Sequence, residues 1–482
     1  MKIYHKIVLA SAVSFLSSTI YAQAFLMNDN SLRSNLNWLN QQGVIQVSTS
    51  TWPLSTEEVI QAIKNAKVVN NVQQKVIDAV EQKINEGNLP ISAAVGTSIT
   101  QNKLPSSFGD SNTAQSKAGL TLQQNSDNWD AHLQLNLEAN QRIHTNSPFN
   151  MNGSYIAGKV WNQWLSFGDT PVWWGPGHDG SLIRGDATRP MPGFTMQRAE
   201  QKAFENKWLS WIGPWQYQMF AGQFQHYTAI PDTKLLGMRV TVQPFQSLEL
   251  GASRVLQIGG RGQPDSFKAY WNAMIGNDNS CQDANCDANA ENASNQLAGF
   301  DARLNLKPLL NIPVGVYGQM IGEDESGKLP AKNLYLAGID YSSSIYDKPY
   351  QLYAEWANTK TDGVVKGYSY THHQYTAGYY QYGFPVGHGI GGDGEMYSLG
   401  GNLQLDAMNR LDGKLLYAEV NPWSDKINNA YPNKDTIRAL ALTWDHQFKP
   451  NYHLEFKGWL GHSHVYNGDS GISLALKLPI NF

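Results

Sequence analysis

The sequence has no long apolar run and few charges, and both shortages limit what it can encode. It has 482 residues, more than a single ordinary soluble domain. Charged residues make up 16% of the chain, against about 25% in a typical soluble domain. The formal net charge of −4 is too balanced to indicate a nucleic-acid partner. No stretch approaches about 18 consecutive apolar residues, so no membrane helix is predicted.

The first 24 residues are typical of a secretory signal. Lys2 and Lys6 supply the positive start, and the apolar stretch 7–20 is too short for a comfortable membrane helix. Ala22-Gln23-Ala24 has the small residues of a cleavage site. The sequence therefore predicts a signal peptide over 1–24 and an exported mature chain that begins near Phe25.

Cysteine is almost absent, with two residues in the whole chain. Cys281 and Cys286 lie in a stretch rich in Asn, Asp and Ala. An exported chain meets oxidising conditions, which favours a small disulfide between them. A metal site needs more ligands than this pair offers, so the sequence predicts no metal and no cofactor.

Residues 25–90 have helical periodicity and form the first predicted domain, a small helical bundle or plug. Asn30 and Ser31 can cap the first helix. Ser55 and Glu58 have the spacing of a capping box at the start of the second helix. The apolar face of a third helix ends at Gly87 and Pro90. Three short helices bury little core alone, so we expect them to dock on something larger.

After Pro90 the apolar period changes to two, which indicates β-strands. Phe300, Ala302 and Leu304 alternate with Asp301 and Arg303. A soluble sandwich would bury the apolar face, whereas a membrane barrel turns it towards lipid and lines its lumen with the charges. This alternation alone does not distinguish the two. The aromatic content of 11%, with 15 Trp and 23 Tyr, suits a wall that faces lipid.

The C-terminal segment favours the barrel. Apolar residues alternate without a break from Ile472 to Phe482, and a terminal Phe is typical of the strand that the barrel-assembly machinery recognises. A strand with its share of loop uses roughly 22 residues, so the 392 residues after Pro90 give about 16–20 strands. We therefore predict an all-β transmembrane barrel of about 18 antiparallel strands over 91–482, in contact with outer-membrane lipid.

Catalytic signatures are missing from the sequence: it has no GxSxG elbow, no HExxH helix and no Gly-Lys-Ser phosphate loop. The acidic residues Glu323, Asp324 and Glu325 could act as a glycosidase pair, but a solvated strand-end turn or a calcium contact explains them more simply. His372 and His373 could bind a metal, but adjacent side chains on a strand point to opposite faces, which argues against a shared ion. No catalytic residue is predicted, and the chain is not expected to be an enzyme.

Two aromatic segments could carry function. The first, from Trp161 to Met191, is too rich in Gly and Pro for one strand. We interpret it as a segment that folds back into the lumen and braces the barrel, with direct ligand contact as the alternative. Its candidate network residues are Trp173, Trp174, Arg184, Asp186 and Arg189. The second mixes aromatic rings with hydroxyls and imidazoles, which suits sugar stacking and hydrogen bonding as well as an interfacial aromatic girdle. Its candidate polysaccharide-binding residues are Tyr368, Tyr370, His372, Tyr375, Tyr379 and Tyr380.

Taken together, these motifs resemble the capsule assembly protein Wzi family. The resemblance runs through most of the mature chain. Its strings are Leu32-Arg33, Trp38-Leu39, Gly43-Val44-Ile45, Ser50–Ser55, Trp161–Gly168, Trp173–Gly177, Ser181–Ala187, Gln197–Glu200, Gly213–Tyr217, Phe245–Arg254, Gly322–Gly327, Tyr368–His373 and Gly391–Gly394. The family implies an 18-stranded outer-membrane barrel with a periplasmic helical bundle, and a lectin-like role that attaches capsular polysaccharide to the cell.

The family pattern, as known, does not include the loop that carries Cys281 and Cys286, and it transfers no sugar-binding residue. A non-catalytic polysaccharide-binding protein is therefore the first hypothesis. A polysaccharide or oligosaccharide transport pore is the second, because a wide barrel permits it, although a helical plug argues against it. An outer-membrane enzyme acting on lipid or glycan is the third.

Overall fold

The computed structural model describes residues 23–110, 113–145, 147–274, 294–326, 329–361, 367–424, 427–465 and 467–480, without the side chains of 324–331. Residues 1–22 of the predicted signal, Cys281, Cys286 and Phe482 lie outside these ranges. In the described residues the chain forms one closed antiparallel barrel. The prediction of an 18-stranded all-β barrel is confirmed.

The wall strands follow one another in chain order around the barrel, and the fourth is built of two short pieces. They are β1 Ile91–Ser98, β2 Ala114–Asn125, β3 Trp129–Gln141, β4 Phe149–Asn150 with Tyr155–Val160, β5 Gln163–Gly168, β6 Gly193–Arg198, β7 Trp215–Gln223, β8 Lys234–Phe245, β9 Leu248–Ile258, β10 Ser294–Asn305, β11 Val314–Ser326, β12 Leu329–Ile345, β13 Lys348–Asn358, β14 Glu395–Gln404, β15 Asn409–Val420, β16 Asp435–Lys449, β17 Tyr452–Ser463 and β18 Asp469–Pro479.

The period-two alternation determines which side chains face outwards. On β10, Phe300 is 52% exposed on the outer wall, whereas Asp301 and Arg303 are buried inside. Asp301 accepts two hydrogen bonds from Arg239 of β8, at 2.6 and 2.8 Å. Charges that would be costly on a lipid-facing surface are thus paired within the lumen.

The last strand closes the barrel. β18 pairs with β1 in a register that runs from Ser473 opposite Ser98 to Pro479 opposite Ser92. Its outward residues Ile472 and Leu474 are exposed. Closure leaves no open sheet edge in the wall, which is what a bilayer requires of a β-structure.

The two ends of the barrel differ in their connections. At one end, called here the turn end, hairpins are short, as between Phe245 and Leu248 or between Ile345 and Lys348. At the other, called the loop end, long segments join β9 to β10, β13 to β14 and β15 to β16.

Three helices precede the wall: α1 Asn30–Gln41, α2 Thr56–Lys64 and α3 Asn71–Gly87. Asp29 caps α1 by accepting a 2.8 Å bond from the Leu32 amide, so the Asn30 and Ser31 capping prediction was wrong by one residue. The capping-box prediction was also wrong. Ser55 is the N-cap of α2 without a side-chain capping bond, and the buried Glu58 carboxylate makes no hydrogen bond with the described residues.

The helices dock on the turn end of the barrel. The Trp38 indole N–H of α1 donates to the Ser343 carbonyl at 2.9 Å, and the side-chain amide of Gln42, the C-cap of α1, donates to the Ser342 carbonyl at 2.7 Å. Val76 and Val80 of α3 are buried in the core that joins the three helices. None of the described helices is long and apolar enough to cross a membrane. A fourth helix, α4 Phe267–Met274, lies in the β9–β10 loop, and a short α5 Lys307–Leu310 lies in the β10–β11 turn.

Candidate functional site

The lumen is occupied by an inward-folded stretch, residues 169–192, called here the plug segment. It leaves the wall after β5 and returns at β6. Trp173–Trp174 pairs as a short strand with Thr51–Trp52, which follows α1. The Gly175 amide also donates to the Ser50 carbonyl at 2.8 Å. The plug segment and the N-terminal region therefore form one hydrogen-bonded unit inside the barrel.

Arg33 of α1 clamps this unit. Its guanidinium donates to the carbonyls of Gly177 at 2.7 Å and Gly175 at 3.0 Å. Its Cζ lies 4.3 Å from the Phe108 ring centroid and 5.4 Å from that of Trp173. Burial lowers the pKa of Arg33 to about 10, which leaves it charged at neutral pH. A buried cation satisfied by carbonyls and aromatic faces fixes the plug segment to the helices.

The residues predicted as a lumen network lie in the plug segment and are buried. The Trp174 indole N–H donates to Gln218 at 2.6 Å, and the Trp173 indole N–H donates to the Gly175 carbonyl at 3.0 Å. Arg189 pairs with Glu138 of β3, and Arg184 lies 4.8 Å from the Phe220 ring centroid.

Asp186 joins the plug segment to two other parts of the chain. Its carboxylate accepts from the Asn28 side chain at 2.8 Å and from the Gly109 amide at 2.9 Å. Burial raises the pKa of Asp186 to about 6, against the lowering by these hydrogen bonds. The carboxylate therefore bridges the N-terminal segment and the β1–β2 loop.

The structure places four of the six predicted sugar-binding residues inside the barrel mouth, where Tyr370, Tyr375, Tyr379 and Tyr380 are buried. The Tyr370 hydroxyl donates to the Leu182 carbonyl at 2.6 Å, and the Tyr379 hydroxyl donates to the Ile183 carbonyl at 3.0 Å. The Tyr375 hydroxyl donates to the Gly259 carbonyl at 3.2 Å. These rings hold the β13–β14 loop onto the plug segment and the β9–β10 loop, and their faces are not open to a polymer.

The other two predicted residues, Tyr368 and His372, are partly exposed. The Lys332 ammonium lies 4.0 Å from the Tyr368 ring centroid, a cation–π contact. The rings of His372 and His373 lie 4.3 Å apart, and His373 is exposed. In the described residues no three His, Cys, Asp or Glu side chains are grouped for metal binding.

Sequence reasoning missed the most exposed aromatic pair of the loop end. Phe267 and Trp271 on α4 are 82% and 49% exposed, and their rings lie 6.4 Å apart at an interplanar angle of 18°. Their i,i+4 spacing places both on one helix face. Near-parallel, solvent-facing rings can stack on sugar rings. The i,i+4 spacing of Phe267 and Trp271 was the sequence signal that could have predicted this pair.

The helix and the tyrosine-rich loop form one surface. Gln263, just before α4, accepts a hydrogen bond from the Gln374 side chain. Tyr375 bonds to the Gly259 carbonyl at the base of the same loop. We call Phe267, Trp271, Tyr368, His372 and His373 the aromatic surface of the loop end.

Of the acidic cluster, the structure describes only the side chain of Glu323, and this carboxylate is not exposed. Glu323 is buried and accepts a 2.9 Å bond from the Tyr370 amide. The side chains of Asp324 and Glu325 lie outside the described residues. Glu323 therefore anchors the β13–β14 loop.

A cavity of about 340 Å³ remains between the N-terminal residues and the inner wall of β14–β17. Its lining carries charges of both signs, including Asp29, Lys83, Asp179, Lys414 and Lys457. Lys414 pairs with Asp179 at 2.9 Å, and Lys83 pairs with Asp29 at 3.3 Å. The cavity is thus a polar space whose charges are largely paired with each other.

Comparison with known proteins gives consistent matches. The family model described as capsule assembly protein Wzi matches residues 85–473. A 55.8 kDa protein of the cps region of Klebsiella pneumoniae is 43% identical over 486 aligned positions, covering 100% of this chain and 94% of that protein. The solved structure of Wzi from Escherichia coli, described as a carbohydrate-binding outer-membrane β-barrel involved in group 1 capsule assembly, is 43% identical with a TM-score of 0.88. It covers 95% of this chain and 100% of that one.

Proposed function

Since the chain belongs to the capsule assembly protein Wzi family, we propose that it binds capsular polysaccharide and attaches capsule at the cell surface. The barrel is an outer-membrane protein. Its solved relative, alike over nearly the whole length, binds carbohydrate and takes part in capsule assembly. The observation that carries the proposal to particular residues is the exposed aromatic surface at the loop end.

The orientation follows from the connections. Outer-membrane barrels have short periplasmic turns and longer extracellular loops. The loop end therefore faces the outside, and α1–α3 lie on the periplasmic side. The aromatic surface then points away from the cell, where a surface polymer lies.

Binding to this surface rests on stacking and hydrogen bonding. Phe267 and Trp271 offer two near-parallel ring faces, and His373 of the β13–β14 loop offers an exposed imidazole. Each contact is weak, but a polymer with many repeats meets many copies of the protein. Avidity then retains the polymer without a tight single site.

The proposal includes no catalytic step and no cofactor. Lipid contacts follow from the apolar outer wall, where Leu399 and Leu415 are exposed. Recognition of the terminal strand by the barrel-assembly machinery is part of the same proposal and concerns Phe482. Nucleic acid has no place in it.

Purified protein in detergent tests the binding proposal against immobilised capsular polysaccharide from the same strain. Phe267→Ala with Trp271→Ala is expected to weaken binding about tenfold or more, because two aromatic stacking contacts are lost. The matched control is Trp208→Ala with Trp211→Ala, two tryptophans at the turn end that are 87% and 68% exposed. If both double variants bind the polysaccharide as tightly as the wild-type protein, the binding site lies elsewhere on the loop end. No binding by the wild-type protein would refute the proposal.

A further inference from the structure

A lateral row of outward side chains crosses β13–β17 near the loop end. Trp356 lies opposite Tyr397, and Tyr397 lies opposite Tyr417. Tyr417 lies opposite Arg438, and Arg438 lies opposite His462. The register therefore places three aromatic side chains, one guanidinium and one imidazole at the same height on the outer wall.

The polar atoms of the three aromatic residues bond to carboxylates. The Trp356 indole N–H and the Tyr397 hydroxyl donate to Glu395, at 3.0 and 2.7 Å. The Tyr417 hydroxyl donates to Glu419 at 2.9 Å. Glu395 and Glu419 stand at the loop-end limit of β14 and β15. Rings with an apolar body and a polar tip are typical of the membrane boundary, so this row marks that boundary.

The next outward row towards the turn end is apolar. It consists of Ala354, Leu399, Leu415, Leu440 and Leu460, each opposite the next in the register. Ala354 is much smaller than its neighbours, and a groove of about 860 Å³ opens on the outer wall beside it, lined also by Ile339 and Arg438. Trp356, Tyr397 and Tyr417 line the same groove, so it spans the boundary row and the apolar row next to it.

Arg438 is the exposed cation of the boundary row. Its Cζ lies 5.8 Å from the Tyr417 ring centroid. Among the described residues no carboxylate lies within ion-pair distance of its guanidinium. Placing a guanidinium on the lipid face costs free energy at the bilayer centre and costs little at the interface. At the interface a phosphate is its natural bidentate partner.

We propose that this groove binds a phosphate-bearing glycolipid of the outer leaflet, with its phosphate on Arg438 and an acyl chain along Ala354, Leu399 and Leu415. The placement in the outer leaflet rests on the orientation given under the proposed function. Lys360 pairs with Glu395 at 2.9 Å and with Glu419 at 3.5 Å, so its charge is balanced by these two carboxylates, which can accept sugar hydroxyls. Arg438 is the cation left for the phosphate. The Arg438 guanidinium and the acceptor oxygens of Glu395 and Glu419 therefore match a phosphorylated sugar headgroup above an apolar chain.

Native mass spectrometry of the full-length barrel in mild detergent tests this with purified lipid A as the probe and phosphatidylglycerol as the comparison lipid. Arg438→Gln removes the cation, and Ala354→Trp fills the groove while keeping the charge. The control is Arg261→Gln, an exposed loop arginine that pairs with Asp232 at 3.6 Å. Heat-modifiable migration confirms that each variant is folded.

The wild-type protein and Arg261→Gln are expected to bind lipid A equally. Arg438→Gln is expected to bind it about tenfold more weakly because a charge-assisted phosphate contact is lost. Ala354→Trp is expected to weaken binding by a similar factor because the acyl-chain site is filled. Unchanged lipid A binding by Arg438→Gln overturns the proposal. Equal affinity of the wild-type protein for phosphatidylglycerol also overturns it and assigns the groove to phospholipid. Polysaccharide binding is not part of this readout, so either proposal can fail without the other.

Discussion

The Tyr370 hydroxyl donates a 2.6 Å hydrogen bond to the Leu182 carbonyl, which joins two segments 188 residues apart in the chain. The same hydroxyl accepts a bond from the His388 amide at 3.1 Å. Tyr370, which the sequence suggested for sugar stacking, thus holds the β13–β14 loop on the plug segment. Phe267 and Trp271, 82% and 49% exposed, lie instead on α4.

Tyr370→Phe is expected to destabilise the folded barrel by about 1–3 kcal/mol, because a buried carbonyl and a buried amide lose their partner. The measurement is the midpoint of thermal unfolding in detergent. Tyr346→Phe, at an exposed tyrosine in a turn-end hairpin, is the control. Equal midpoints for Tyr370→Phe and the wild-type protein would show that this bond does not hold the loop.

Alternation on single strands was enough to predict β-strands with one apolar and one polar face, because the side chains of Phe300 and Asp301 point to opposite faces whatever the rest of the chain does. The barrel itself was predicted from the uninterrupted alternation that ends at Phe482 and from the family resemblance. The burial of Tyr370 and Tyr379 could not be predicted in this way, since it depends on Leu182 and Ile183, which are remote in sequence. Exposed Phe267 was missed because its helix spans only eight residues. Local periodicity therefore determines the wall, and long-range contacts determine which loop residues remain exposed.

Arg33→Gln is expected to loosen the plug segment, because the carbonyls of Gly175 and Gly177 lose a charged donor and the aromatic stack loses its cation. Ion conductance of the purified barrel in planar bilayers measures this. We expect little conductance from the wild-type barrel and clearly more from the variant. Arg261→Gln controls for loss of a positive charge. A freely conducting wild-type barrel would favour the transport-pore hypothesis.

Arg239→Gln is expected to cost about 3–5 kcal/mol, because it leaves the buried Asp301 carboxylate unpaired. The double variant Arg239→Gln with Asp301→Asn should lose less unfolding free energy than the two single variants together, because it leaves no unpaired buried charge behind. A double-mutant cycle on denaturant unfolding measures the coupling. Additive effects would show that the pair acts as two independent residues.

The contact of α3 with the wall is expected to weaken in acid, because it includes the Glu86 carboxylate. Burial would raise its pKa, but the His453 hydrogen bond at 2.8 Å and the Lys83 ammonium hold the pKa of Glu86 at about 2. An unfolded glutamate titrates near pH 4.3. The stabilisation is therefore complete above that value and is lost as the pH falls towards 2.

The unfolding midpoint of the wild-type protein should exceed that of Glu86→Gln at pH 7, and the difference should shrink between pH 4.5 and pH 2. Glu81→Gln, on the exposed side of the same helix, should show no such trend. A difference that stays constant from pH 7 to pH 2 would contradict this account of the carboxylate.

Capsule retention by cells that carry Phe267→Ala with Trp271→Ala in place of the wild-type gene tests the central claim most directly. Cell-bound, released and total capsular polysaccharide are quantified beside a deletion strain and the Trp208→Ala with Trp211→Ala control, with equal amounts of folded barrel in the outer membrane. The account predicts unchanged total polymer, with a released fraction that approaches the deletion strain in the α4 variant alone. Wild-type retention by the α4 variant, or polymer trapped inside cells of the deletion strain, would contradict it.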